Sequence, residues 1–188
     1  MIKPGWTGKV MSPLVVLLYP GIQLADFPLS KYLDTAVILV AHGCGNGPGA
    51  QAGEVKKYLD GGGLVAVVTE CLLGATAGHY AASVAKWDTR IASCANTTLA
   101  SAVAKVTVLL GNSKLHPLQD QCPERQDQIN KTRQDFFNTS MARSLAGELV
   151  YDSLAEYCQA NSDPSPSRSS TTPPAPQPGP SPSSAGAT

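Results

Sequence analysis

Two short segments of this chain carry side chains that could do chemistry, and each follows an apolar run. The first is His42-Gly43-Cys44-Gly45-Asn46-Gly47-Pro48-Gly49. Its glycines fall at alternate positions, which lets the backbone turn sharply and approach a bound group closely. The amides of such a turn, with the helix start that follows, suit a carboxylate or a phosphate. Asn46 adds both an acceptor and donors, enough to read an amide or an amino acid. The same residues also describe a tight strand-to-helix turn with no ligand. The spacing is not GxGxxG, and no acidic residue follows at the distance a dinucleotide site needs. No cofactor is expected.

The second segment is Thr69-Glu70-Cys71-Leu72-Leu73-Gly74. Cys71 is either a nucleophile with His42 or His79 as its base, or a small hydrophobe among apolar neighbours. His42 itself reads as a loop packing residue. His79 and Tyr80 either face the same cleft or pack under it.

The elements that must position these loops are legible from periodicity. Residues 15–19 (VVLLY), 36–41 (AVILVA) and 64–69 (LVAVVT) are continuously apolar, as parallel strands buried on both faces are. A fourth, weaker strand is expected near 90–92. Helices are expected at 50–59, 78–87 and 98–110. In the last, Leu99, Ala102, Val103, Val106, Leu109 and Leu110 form one stripe, with Asn96 or Thr97 as cap and Gly111-Asn112 as stop. A long polar helix is expected over 124–145, burying Ile129, Phe136, Phe137, Met141 and Leu145, with a short one at 151–157. Alternating strands and helices imply an α/β fold: a small Rossmann-like, three-layer domain with a mostly parallel four-stranded sheet and C-terminal helices. Ligands of such sheets bind at the carboxyl ends of the strands. Both loops lie there, adjacent if their strands are neighbours.

Three regions follow. Residues 1–12 read as the remnant of an interdomain linker and 13–158 as the domain. Residues 159–188, rich in proline and serine, read as a disordered tail that lacks the apolar surface to offset its ordering entropy. The 14 basic and 14 acidic residues balance, and no basic run stands out, so nucleic acid is not an expected partner. No run is long enough to span a bilayer, and the first ten residues lack a signal-peptide core. Five widely spaced cysteines without a CxxC argue against both a disulfide framework and a zinc site. A cytoplasmic protein without a metal is expected.

The motifs also form an ordered set. Gly43, Gly45, Asn46 and Pro48 fit the pattern R-x-Y-G-x-G-N-x-P, with His42 at the tyrosine. Residues 67–74 (VVTECLLG) are similar to V-x-x-T-Q-C-x-x-G, and 78–81 (GHYA) to G-x-Y-A. Residues 96–110 (NTTLASAVAKVTVLL) match D-M-T-x-E-A-A-x-x-K-L-x-x-L-L at Thr98, Ala102, Lys105 and both leucines. Pro20-Gly21-Ile22 and 144–148 fit P-G-I and N-L-R-G-E. In order and spacing, the chain from about residue 10 to 150 resembles the C-terminal domain of type I (cytosolic) L-asparaginases.

The resemblance implies a relation to amidohydrolysis of L-asparagine to L-aspartate and ammonia. The family's nucleophilic threonines lie in a T-G-G-T-I motif of an N-terminal domain, and no T-G-G occurs here, so no catalytic residue carries over. What carries over is an effector-binding set: His42, Gly43, Gly45, Asn46 and Cys71. The implied partners are L-asparagine or a similar small amino acid, and either further copies in a homo-oligomer or an N-terminal asparaginase domain. A stand-alone amino-acid-binding or regulatory module is the alternative. Three positions depart from the pattern. Val40 stands at the arginine, Asn96 at the aspartate and Ala100 at the glutamate. Valine cannot grip a carboxylate through paired hydrogen bonds as arginine does.

Overall fold

Both faces of a parallel sheet must be covered, and strand order decides which part of the chain covers each. The computed structural model describes residues 11–71, 76, 81–116 and 122–143. Four strands pair in parallel throughout: β1 (Leu14–Leu17), β2 (Ala36–Ala41), β3 (Leu64–Thr69) and β4 (Ile91–Ser93). Their order in the sheet is their order in the chain. Because the order never reverses, crossovers of one hand all pass over one face. The other face must then be covered by chain that follows β4.

The two cores show this division. On one face Val37, Leu39, Val65 and Val67 meet Leu18, Ile22, Leu24 and Leu29 of the first crossover. Val55, Tyr58 and Leu59 of helix α1 (Ala52–Asp60) and Val84 of the third crossover join them. On the opposite face Ile38, Val40, Ala66 and Val68 meet helices α2 (Leu99–Leu110) and α3 (Pro123–Met141) through Val106, Leu110, Phe137 and Met141. The result is a three-layer α/β domain of Rossmann-like type. All residues of β2 and β3 are buried, which is why these strands carry no polar alternation.

Several elements depart from the sequence reading. The third crossover is not a helix over 78–87. Residues 78–80 lie outside the described set, and of the rest only Val84–Lys86 forms a 3-10 turn. The reason is pairing: Gly47 donates its amide to Ala82 O at 3.1 Å and Val84 to Gly45 O at 2.8 Å. These bonds hold the segment extended against the glycine loop. The cap of α2 is Thr98, not Asn96 or Thr97; its hydroxyl accepts from the Ser101 amide at 3.2 Å. Leu145, the 151–157 helix and the tail lie outside the described residues.

The larger surprise is α3. Arg133 and Gln134 are buried, with 4% and 5% of their surface exposed. Arg133 Nε donates to Leu115 O at 3.1 Å and Nη1 to Gly62 O at 2.9 Å, with Leu33 O also in reach of Nη2. Gln134 Nε2 donates to Leu59 O at 2.7 Å and Gly63 O at 3.1 Å. Together they tie α3 to the glycine turn that feeds β3. That turn admits no side chain at Gly63, where an added Cβ would lie 2.3 Å from the Tyr58 ring.

Arg133→Ala strips donors from the buried carbonyls of Gly62 and Leu115 and the part-buried one of Leu33, and opens a cavity beneath α3. Urea unfolding of the variant should show a loss of about 2–4 kcal/mol, with Arg133→Lys recovering only part of it.

Candidate functional site

The two loops are brought together by strand register. Ala41 pairs with Thr69, so His42 and Glu70 are the next residues on each strand. The Glu70 amide continues the ladder by donating to Ala41 O at 3.3 Å. His42 Nδ1 then meets Glu70 Oε1 at 2.6 Å, both side chains part-exposed. Thr69 Oγ1 donates to Gly43 O and accepts from the Cys71 amide at 3.1 Å. The loops therefore share the carboxyl edge and are cross-linked through three residue pairs.

The glycine loop spends its backbone on itself. The amides of Gly45 and Asn46 both donate to His42 O, at 3.0 and 2.8 Å, and His42 donates to Asn46 O at 2.9 Å. Asn46 bridges onward to Ser83. Three of the amides that the sequence suggested for an anion thus bond within the protein. Gly45 has φ +95°, and an added Cβ would lie 3.2 Å from Thr76 Cα. Thr76 is itself buried and locked to Ser93 Oγ at 2.8 Å. His42 Nε2, Asn46 Oδ1 and Ser83 Oγ are buried without a hydrogen-bond partner among the described residues. Such atoms are uncommon in folded proteins and mark unspent polar capacity beneath the loop.

A cleft of about 360 Å³ opens at the same edge, between the end of β3 and the start of α2. Val40, Thr69, Glu70, Cys71 and residues 96–100 line it. Of the five residues singled out from sequence, only Cys71 lines this cleft. His42 reaches it through Glu70. Gly43 sits behind Thr69, and Gly45 and Asn46 turn toward the third crossover. Conversely Val40, Asn96 and Ala100, noted above as departures from a motif, all line the cleft. Thr97 was missed as a binding residue because it read as a helix cap. It is 3% exposed, lines the cleft, and its hydroxyl bonds to no described residue.

The cysteines differ in chemistry. Burial pushes the Cys94 thiol up to about 12, which makes it inert. Cys122, at the start of α3, has its thiol lowered by the Arg125 amide. Cys71 is exposed. Of the two candidate bases, His79 lies outside the described residues, and His42 meets Glu70 through Nδ1 and has no partner at Nε2, so no described base is bonded to Cys71 Sγ. Among the described residues no group of three or more His, Cys, Asp or Glu is placed to hold a metal. No described helix is long and apolar enough to cross a membrane.

A larger hollow of about 520 Å³ lies at the opposite, amino edge, against the polar face of α3. Its arginine is already spent: Arg90 Nη2 pairs with Asp60 at 2.8 Å and Asp88 at 2.7 Å, and this holds the Asp88 carboxyl below its usual range. Asn138 Oδ1 in this hollow is buried without a partner among the described residues. The carboxyl-edge cleft is the better candidate because both loops singled out from the sequence meet there and leave Glu70 Oε2 and the Thr97 hydroxyl without a described partner. Comparison with protein-family models and with curated proteins returns no match.

Gly45→Ala forces a disfavoured backbone conformation and a close contact with Thr76. A loss of about 1–3 kcal/mol in chemical denaturation is expected, whereas Gly49→Ala, with open space at its Cβ position, should be near neutral.

Proposed function

We propose that this chain is a ligand-binding domain of the kind found at the C-terminus of type I asparaginases. It takes L-asparagine or a similar small amino acid in the carboxyl-edge cleft and has no hydrolytic centre of its own. One observation carries the reading. Val40, Glu70, Cys71, Asn96 and Ala100 come from three separate motifs, and all line one cleft. The three motifs follow adjacent parallel strands and so meet at the carboxyl edge, where ligands of such sheets bind. The cleft volume suits a ligand of amino-acid size.

The chemistry of the lining favours binding over hydrolysis. A threonine nucleophile needs an adjacent base, and in the cleft Thr69 Oγ1 is held between Gly43 O and the Cys71 amide. The stand-alone binding module and the asparaginase-type domain are thus one reading for this chain. A second copy or an asparaginase N-terminal domain is the partner in this reading. Edge strand β1 fits such a role, since its Val15 and Leu17, with Tyr19 just beyond it, are exposed. The free thiols of Cys44, Cys71, Cys94 and Cys122 accord with a reducing, cytoplasmic setting.

Two assays on the purified chain test the proposal. Incubation with L-asparagine should release no ammonia above the blank. Calorimetric titration should give saturable heat with at least one of asparagine, aspartate or glutamine. Ammonia release, or the absence of heat with all three, would refute it.

A further inference from the structure

The unspent groups of the cleft specify more than its size. Glu70 is the one charged side chain in the described lining. Its Oε1 is held by His42 Nδ1 at 2.6 Å, while Oε2 has no partner among the described residues. Facing it is the amino end of α2, whose first turn holds no acidic residue. Thr98 takes the Ser101 amide, which leaves the Leu99 and Ala100 amides without an acceptor, as at any helix start. Thr97 adds a nearly buried hydroxyl that bonds nothing else in the described chain. Val40, Leu99 and Ala100 are apolar, and no lysine or arginine is among the described residues that line the cleft.

From this arrangement we infer that the cleft recognises the two ends of a zwitterionic amino acid and selects for an uncharged side chain. The inference rests on the amino-acid-binding reading above. The α-ammonium sits on Glu70 Oε2. The α-carboxylate accepts from the Leu99 and Ala100 amides and the Thr97 hydroxyl, where the helix dipole favours an anion. The side chain lies against Val40. A side-chain carboxylate finds no cation and feels the Glu70 charge, so aspartate and glutamate are rejected. His42 positions Glu70 and does not touch the ligand.

Calorimetric titration of the full chain tests this with L-alanine, L-asparagine, L-aspartate and N-acetyl-L-alanine. Alanine and asparagine should bind. Aspartate, with its extra charge, and N-acetyl-L-alanine, with its ammonium removed, should each bind at least tenfold more weakly. Glu70→Gln should cost alanine at least tenfold in affinity, and Thr97→Val several-fold. The N-acetyl comparison needs no variant and stands even if a substitution disturbs folding. Aspartate binding as tightly as asparagine, equal binding of alanine and its N-acetyl form, or a Glu70→Gln variant with unchanged affinity and melting temperature would each overturn the inference while leaving amino-acid binding intact. Heat from none of the four, nor from L-glutamine, would sink both.

Discussion

The register of β2 against β3 is the constraint on which the site depends. Pairing of Ala41 with Thr69 puts His42 beside Glu70. Alternation along the strands turns Val40 and Val68 toward the layer of α2 and α3, and the cleft opens on that side. A slip of one residue would send each of these side chains to the crossover face. Burial prevents the slip: both strands are enclosed on both faces, so any other register would exchange two packed sets of branched side chains at once. The functional geometry is thus a by-product of core packing.

The two edges of the sheet are built differently. At the amino edge, buried polar side chains spend themselves on backbone carbonyls. Arg133 and Gln134 reach the Gly62-Gly63 turn, and Arg90 pairs with two carboxylates. That edge is tied down at Arg90, Arg133 and Gln134, although Asn138 Oδ1 in its hollow is buried without a partner among the described residues. At the carboxyl edge the backbone of the glycine loop is closed on itself, yet side chains and amides remain unspent: Glu70 Oε2, the Thr97 hydroxyl and the first amides of α2. Hydrogen-bond capacity that the fold does not consume is what a ligand needs. The sheet order also matters here. Without a reversal there is no crevice between divergent crossovers of the usual doubly wound kind, so the cleft is walled by α2, which follows the last strand.

Much of this was legible in the sequence. The strands were readable because parallel strands buried on both faces must be apolar at every position, and α2 because its stripe is complete. The crossover after β3 was misread as a helix, since its propensity gave no hint that the glycine loop would pair with it. The buried face of α3 was only half legible. Phe137 and Met141 stood out, whereas Arg133 and Gln134 looked like solvated residues until their carbonyl partners came into view. The site was legible in its strand ends and illegible in its helix. Cys71 was found from its motif. Thr97 was hidden by a local ambiguity, because Asn96 and Thr97 both read as caps of α2, and only the structure shows that Thr98 holds that place and frees Thr97.

The central claim is that one cleft at the carboxyl edge is where a small amino acid binds. Amide chemical-shift mapping of isotope-labelled protein during titration with L-asparagine reads this most directly. The account predicts perturbations concentrated at Val40, at Thr69 through Cys71 and at residues 96–100, with the amino-edge residues Asn130, Gln134 and Arg90 unmoved. Perturbations centred on the amino edge, or none at saturating ligand, would contradict it.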